Sequence, residues 1–537
     1  MKKELYLIRN FIGALSLFLI GSCRGTDTEN NLANSGSSIV NFNLLGSDYN
    51  DSGKLSGQAS LAKGDIVNSV NYVQSHSVLI TPSNVITAEL SSSARISKVL
   101  ANASLGVNST AAIPESPITS GVKFRVIAYR QSNGNYHKHQ DYTVGQPAAP
   151  MMLDNGAAYN IIVYSYGTAN LPLISSGEQN NLSSALVNYN DNQRDFMYQK
   201  IPFTPTSSAN TLNITLRHKV AQITATVNSV GMGNITNITG GLLTPHYSNG
   251  VVSLSSGTMS GRTTSSTGSV LNFSGFNTTT STSNPVFVNA DTGGNPTGSF
   301  SAAITIAGKN KTINLPNSFK ITPENKSNLT INLIKCGAYV GPNNNRSNYK
   351  EFMCQNLGAT EGIDPFSPEA GNHGAKYQWG AQTGEVGRYI SQADDQSISG
   401  PIFGWNSTPN LDGSWGDTSK TANDPCPSGY RVPTQNQWQD VIANNNVERI
   451  GSWVDGDYTS ALYFRNPSNI RTLMLPATGS RDLDGTRRGI GSYGSYWSSS
   501  IDAASPSSAY QLNVYISGLG VGKFQRTQGF SVRCIAE

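Results

Sequence analysis

Charge is scarce in this chain. Asp, Glu, Lys and Arg make up only 13% of its 537 residues, well under the usual quarter or so of a soluble protein. Formal net charge is +4, so there is no strong field to steer nucleic acid or an anionic membrane, and a nucleic-acid partner is excluded from the expectations. Tryptophan is missing from the first 378 residues, and no cysteine lies between Cys23 and Cys336. No CxxC spacing occurs, which argues against a structural zinc site. Long helical periodicities are also missing, as are GxSxG, HExxH and P-loop patterns, so no catalytic set is recognisable and the chain is expected not to be an enzyme. What is plentiful is Gly, Ser, Thr, Asn and Tyr, with 53 glycines and 23 tyrosines. That is the composition of a secreted, mainly β protein.

The one apolar run near the start, Phe11 to Ile20, follows Lys2, Lys3 and Arg9 and is too short to span a bilayer. It reads as a secretory leader over residues 1–22. It ends in Leu19-Ile20-Gly21-Ser22-Cys23, which resembles a bacterial lipoprotein lipobox, in which cleavage before the cysteine is followed by acylation of its thiol. The resemblance implies Cys23 as the lipidated first residue of a 515-residue mature chain of net charge +2, the leader taking Lys2, Lys3, Glu4 and Arg9 with it. Several acyl chains on one residue hold a protein stably to a membrane without spanning it. The expected location is therefore the outer membrane at the cell surface, lipid-anchored at least as a precursor. Residues 23–37 hold almost no large apolar groups and read as a flexible tether.

From Ser38 to about residue 200, short apolar runs recur between Gly, Asn, Ser and Pro clusters: Ile39 to Leu45, Val78 to Ile80, Val122 to Tyr129 and Tyr159 to Tyr166. They read as strands. In the third, Val122, Phe124 and Val126 alternate with Lys123 and Arg125, which predicts one buried and one wetted face. Residues 210–230 carry a phase change: Leu212, Ile214 and Leu216 fall on even positions, Ala221, Ile223, Ala225 and Val227 on odd ones. A one-residue slip reverses the buried face. The expectation is a bulge where a strand leaves one sheet for another, or a boundary between two strands, with His218 a structural residue beside it. His137 and His139 share a face if extended but have no third ligand nearby, and read as solvated surface. The Ser/Thr/Gly-rich segment 252–285 reads as a surface loop or weak hairpin.

Taken in series, the lipobox, VIAYR at 126–130, AAYNIIVYSYGT at 157–168, DFMYQ at 195–199, LRHKVAQITATV at 216–227 and LTINLIK at 329–335 resemble the fimbrillin family of Bacteroidetes lipoproteins. The resemblance implies two tandem transthyretin-like β-sandwich domains, 38–205 and 206–335. It also implies assembly with other fimbrillin-type pilus subunits: an N-terminal strand is cut away after a basic residue and the vacated groove accepts a strand from another subunit. Two departures stand out. Between Ser38 and Arg95 the only basic residues are Lys54 and Lys63, and a further domain follows Leu333 where a stalk subunit would offer its donor strand. Both favour a tip or an anchor over a repeating stalk subunit.

All six tryptophans lie beyond residue 378, marking a change of fold. There CGAYVGPNNNRSNYKEFMCQNLGATEGIDPFSPEAGNHGAKYQWG at 336–380, CPSGYRVPTQNQWQDVI at 426–442, LPATGSRDLDG at 475–485, GSYWSSS at 494–500 and FSVRCIAE at 530–537 resemble the Fibrobacter succinogenes major paralogous domain. That resemblance implies an α+β, C-type-lectin-like domain over 336–537. Thr434 with Gln437 forms a capping box behind Pro433, so a helix is expected to start there with Trp438, Val441 and Ile442 on one apolar face. The four cysteines of this region allow two bridges in an exported chain, and their pairing is not legible in the residues alone. By analogy with lectin-like folds, Cys426 pairs with Cys534 and leaves Cys336 for Cys354.

As ligand contacts the sequence offers Trp405 and Trp415, able to stack on sugar rings if exposed, and Asp482 and Asp484, whose alternation resembles part of a calcium loop. The bidentate carboxylate of an EF-hand is lacking downstream, and the EPN, QPD and WND tripeptides of calcium-dependent lectins are missing, Trp497 being followed by three serines. No cofactor is expected, with calcium as the exception to test. The nearly terminal Cys534 argues against the sulfatase-modifying oxidases that share the lectin-like fold. The expected function is a fimbrillin-like surface adhesin, at a pilus tip or accessory to it, presenting a lectin-like domain to a host or environmental glycan or protein receptor. The alternatives are a membrane-retained pilus anchor and a glycan-binding surface lipoprotein unconnected to pili.

Overall fold

A computed structural model describes residues 36–50, 73–93 and 116–537. The leader, the lipidation site Cys23, most of the tether, Lys54 and Lys63 lie outside these residues. The described chain is mainly β. Its first strand, β1 (Ser37–Asp48), alternates Ser38, Val40 and Phe42 inward with Ile39, Asn41 and Asn43 outward, so the last residue assigned to the tether already belongs to a strand.

Two strands, β2 (Gln74–Thr81) and β3 (Asn84–Ser92), make a hairpin. They are followed by β4 (Lys123–Arg130), β5 (Tyr136–Thr143), β6 (Met151–Asp154), β7 (Tyr159–Ser165), β8 (Leu186–Asn188), β9 (Met197–Phe203) and β10 (Ala209–His218). Seven of these form one sheet in the order β5-β4-β7-β9-β10-β1-β6. Phe42 on β1 meets the ring of Tyr142 on β5, the far edge, at 5.7 Å. The sheet therefore curls over on itself, closing a core of Val40, Phe124, Val126, Ile161, Ile214 and Leu216.

The outer face of β4 is wet at Lys123, as its alternation predicted, but not at Arg125. Arg125 is 1% exposed, because residues 166–196 fold over this side and bury Ile127, Tyr129, Ile162 and Tyr164 with it. Its guanidinium is satisfied by both oxygens of Asp141 at 2.7 and 2.8 Å, Glu178 Oε1 at 3.2 Å, the Tyr164 hydroxyl at 2.9 Å and the Pro172 carbonyl at 2.7 Å. Burial works against the charge, but hydrogen bonding to Asp141 and the neighbouring Tyr164 and Glu178 keep Arg125 protonated beyond its ordinary range.

After His218 the chain crosses to a second unit through Lys219 and Val220. There follow β11 (Ala221–Asn228), β12 (Ile235–Thr244), β13 (Val251–Ser253), β14 (Met259–Ser260), β15 (Ser269–Leu271), β16 (Phe273–Ser274), β17 (Thr280–Ser283), β18 (Val286–Val288), β19 (Gly298–Ile306), β20 (Lys309–Phe319) and β21 (Lys326–Lys335). One sheet runs β16-β17-β11-β21-β3-β2 and the other β15-β12-β19-β20. Ile223, Leu329 and Ile331 of the first face Leu243, Phe300 and Leu315 of the second across one core. The phase change at 217–220 is thus the boundary between two strands, β10 ending at His218 in one sheet and β11 starting at Ala221 in another.

Two expectations shift here. The hairpin β2–β3 belongs to the second unit, paired to β21 along the whole of β3, and β10 belongs to the first, so the partition at 205/206 does not follow the sheets. Order along the chain says nothing about which sheet edge a hairpin joins. The low-complexity segment follows the hairpin alternative and not the loop: β13 pairs with β14 and β16 with β17, both antiparallel, and the segment supplies β13–β17 to three sheets and buries Val252, Leu254 and Ser269 completely. Short hydroxyl side chains fit tight positions once the backbone pairs.

The C-terminal region starts one residue after β21, with β22 (Gly337–Tyr339) and β23 (Tyr349–Glu351). Then come β24 (Lys376–Tyr377), β25 (Tyr389–Ile390), α1 (Gln392–Ser397), β26 (Tyr430–Arg431), α2 (Gln435–Asn444), β27 (Asn446–Ile450), β28 (Ala461–Arg465), β29 (Arg471–Pro476), β30 (Ser480–Arg481), β31 (Arg487–Arg488), β32 (Tyr493–Ile501), β33 (Ser508–Tyr515), β34 (Leu519–Gln525) and β35 (Ile535–Ala536). α2 starts where the capping box predicts: Thr434 Oγ1 accepts from Gln437 N at 3.1 Å while Gln437 Oε1 accepts from Thr434 N at 2.9 Å. Its apolar face puts Trp438 and Val441 against Leu462, Leu475 and Leu512. Disulfides join Cys336 to Cys354 and Cys426 to Cys534.

The hairpin tip of the second unit plugs into this region. The Pro82 and Ser83 carbonyls accept from the backbone N–H groups of Cys354 and Cys336, each at 2.7 Å, and Val85 and Ile334 share a core with Phe366, Tyr463 and Met474.

Candidate functional site

Three places bear on function, and the first is the seat of β1. This strand runs parallel to β10, from the Ile39–Ala209 pair to Asp48–Arg217, and antiparallel to β6 over Ser37–Val40. It is an interior strand. Taking it out would expose one flank each of β10 and β6 and open the core at Val40 and Phe42, leaving a groove with main-chain donors and acceptors on both sides. Its far end is pinned by the ring of Tyr49, which lies flat on His218 with centroids 4.0 Å apart. His218 Nδ1 is in turn 2.5 Å from Asp195 Oδ1, so this histidine is a satisfied structural residue. His137 and His139 are not brought together: the first sits near Arg130 at 3.4 Å, the second shares a 2.6 Å hydrogen bond with the Tyr136 hydroxyl.

At the other end of the chain, the residues proposed as ligand contacts are occupied by the fold. Trp405 and Trp415 are buried, at 8% and 2% exposure, and their indole N–H groups donate to the Thr527 and Asn423 carbonyls at 2.9 and 3.1 Å. Neither ring is available to stack on a sugar. The reason is packing with distant segments: Trp415 packs on Trp379 at 5.6 Å, within a core that includes Trp497 and Phe530.

Asp482 and Asp484 lie in the turn between β30 and β31 and serve it. Asp484 accepts from the N–H and hydroxyl of Thr486, each at 2.9 Å, and Asp482 from the N–H of Leu483 at 2.9 Å. Those bonds to Thr486 hold the Asp484 carboxyl below its ordinary range. Among the described residues, no group of three or more His, Cys, Asp or Glu could hold a metal ion.

The turn is anchored by a fully buried charge cluster. Asp395 of α1 receives Lys376 Nζ at 3.1 Å and Arg481 Nε at 2.6 Å, and Arg481 also reaches the Gly485 carbonyl at 2.9 Å. Burial alone would raise the Asp395 carboxyl, but the two cations hold it below its ordinary value. These are structural ion pairs.

A cavity of about 300 Å³ opens where the second unit meets the C-terminal region. One wall is Val230, Gly231, Ile334 and Lys335. The other combines the Asn-rich loop between β22 and β23 with the turn between β28 and β29. Its floor holds Tyr339 and Tyr349, edge to face at 5.2 Å. The Tyr349 hydroxyl donates to the Lys335 carbonyl at 2.5 Å, and burial raises its pKa. Lys335 is neutralised by Glu351 at 2.6 Å. The rim carries exposed Asn343, Asn344 and Arg346. A short 3-10 turn capped by Asn345, which accepts from Ser347 N at 3.0 Å, holds Arg346 in place, and its guanidinium donates to the Gly231 carbonyl. Sequence reasoning missed this site because its residues come from three distant stretches. The only local sign was asparagine-rich turns, NNN at 343–345 and NPSN at 466–469.

No curated protein matches the sequence. Among solved structures, a candidate cell adhesion protein of Bacteroides fragilis aligns over 55% of this chain and 93% of its own at 11% identity and TM-score 0.31. One from Bacteroides uniformis covers 40% and 86% at 13% and 0.29. A fimbrial assembly protein of Parabacteroides distasonis covers 40% and 85% at 10% and 0.25. These scores are too low to establish a shared overall fold. Residues 324–536, from just before β21 through the C-terminal region, match the family model of the Fibrobacter succinogenes major domain.

Proposed function

We propose that this chain is a surface-exposed, lipid-tethered adhesin of the fimbrillin type, non-catalytic and situated at a pilus tip or accessory to it. On this reading the two β units are transthyretin-like sandwiches, and the region from 336 onward is a C-type-lectin-like binding module for a glycan or protein receptor. The observation that carries the reading is the placing of β1. It is an N-terminal strand held inside the sheet on both flanks, with alternate side chains in the core, as a strand given up to a partner's strand must be. Its link to β2 runs through residues 51–72, beyond which β2–β3 is fastened to β21 and not to β1's sheet, so losing β1 leaves the hairpin seated. At the other end β21 is interior, flanked by β11 and β3, and runs straight into β22. It offers no free donor strand, which suits a terminal subunit.

A second reading, a membrane-retained anchor, is favoured by the lack of any arginine between Ser38 and Arg95. Mass spectrometry of the native protein's N-terminus separates the two. A new terminus beyond β1 supports the pilus component, a retained lipid on Cys23 supports the anchor, and purified fimbriae that lack the chain altogether support a free glycan-binding lipoprotein.

A further inference from the structure

We infer that the cavity between the second unit and the C-terminal region is a binding site for a carboxylate-bearing sugar, such as a uronic or sialic acid residue of a polysaccharide. The inference rests on the adhesin reading only for where the ligand is met.

Three features of the cavity point to this chemistry. Its volume, about 300 Å³, lies at the lower end of the range of small-molecule sites, roughly 300–1,000 Å³, which suits one or two sugar rings and not a peptide. Its floor is aromatic without being greasy: the half-buried faces of Tyr339 and Tyr349 suit the apolar C–H face of a pyranose. The rim supplies amides from Asn343, Asn344 and Asn466; Asn343 Nδ2 already donates to the Asn444 carbonyl and Asn466 Oδ1 accepts from Ile470 N, which leaves each an N–H and a lone pair for sugar hydroxyls.

The charge is decided by Arg346. The other cation of the lining, Lys335, is already paired with Glu351, whereas Arg346 has no carboxylate partner among the described residues. One guanidinium nitrogen is tied to the Gly231 carbonyl, which orients the fork without neutralising it. An oriented, uncompensated guanidinium at the mouth of a polar cavity favours a planar carboxylate. The site also needs both modules, since Gly231 and Lys335 come from one and Arg346 from the other.

Isothermal titration of the full mature chain tests this with trigalacturonate, a hyaluronan tetrasaccharide and sialyllactose as acidic probes and with lactose and cellobiose as neutral ones. At least one acidic probe is expected to bind with a Kd of about 1 mM or tighter. Added salt should weaken it, and Arg346→Gln should reduce affinity about tenfold or more with the unfolding midpoint unchanged. Tyr339→Ala should reduce binding of the same probe. Failure of all three acidic probes overturns the inference, as does binding that Arg346→Gln leaves unaltered or that lactose matches. Because Arg346 is exposed, its variant stays informative even if Tyr339→Ala folds poorly. A negative titration leaves the strand-exchange reading standing, since that depends on β1 alone.

Discussion

Tyr49, just past the end of β1, stacks on His218, the last residue of β10, with planes within 5° of parallel. The contact joins the two strands at the point where the chain crosses from the first unit to the second, so it acts as a latch on β1. An aromatic pair contributes about 0.5–1.5 kcal/mol beyond its buried area. Tyr49→Ala should therefore speed amide hydrogen exchange in β1 and its neighbour β10 roughly tenfold, leaving β19 and β20 of the second unit unchanged. Uniform acceleration throughout would show that the stacking is not a local latch.

Arg125 is the only charge on the covered face of β4 that reconciles the carboxylate of Glu178, itself 3% exposed, with burial. Arg125→Met should lower stability by about 3–5 kcal/mol, because it leaves a buried carboxylate unpaired. The double variant Arg125→Met, Glu178→Gln should recover a good part of that loss. Urea titration followed by tyrosine fluorescence measures both, and equal losses in single and double variants would refute the pairing argument.

The two disulfides close loops of very different length, with sequence separations of 108 for Cys426–Cys534 and 18 for Cys336–Cys354. Restriction of the unfolded chain predicts about 5 kcal/mol for the long loop and about 3 for the short one. Replacing Cys426 and Cys534 by Ala should therefore lower the melting temperature more than replacing the other pair. Calorimetry of the two double variants decides it, and the reverse order would contradict the loop argument.

His373 is 1% exposed. Burial first, and then the neighbouring Lys376 charge, push its pKa down to about 3, against the pull of the Pro368 carbonyl that its ring N–H reaches. The unfolded chain takes up this proton near pH 6.5 and the folded chain does not. The neutral ring's contribution is thus whole above about pH 6.5 and is lost as pH falls toward 3, at no more than about 1.4 kcal/mol per pH unit. Because every tryptophan lies in the C-terminal region, urea unfolding followed by tryptophan fluorescence at pH 7, 6, 5 and 4 reports on this region. His373→Gln should flatten the decline between pH 6.5 and 4, and a profile as steep as the parent's would assign it elsewhere.

Much of this was legible in the residues. The helix at 435–444 was announced by Thr434 and Gln437, and the crossing between sheets by the shift from even to odd apolar positions around Arg217 to Val220. Both are local effects, set by hydrogen bonds and side-chain direction within a few residues. Arg125 misled because alternation reports which way a side chain points and not what folds over it. Trp405 and Trp415 were offered to sugar for the same reason: an isolated tryptophan in a polar loop looks exposed until Trp379, Asn423 and Thr527 arrive from elsewhere. The hairpin at 74–92 and the cavity around Tyr339 and Tyr349 depend on contacts between distant segments, for which a single sequence carries no local signal.

The account depends most on β1 being a replaceable strand. A protease site inserted between residues 51 and 72 allows the purified chain to be cut after β1, and the cut protein can be incubated with excess fluorescent peptide of sequence 36–50. The account predicts that the peptide is taken up one to one, displacing the original strand, while β2–β3 and the C-terminal region keep their hydrogen-exchange protection. A cut chain that unfolds throughout, or one that stays folded but never takes up the labelled strand, would contradict it.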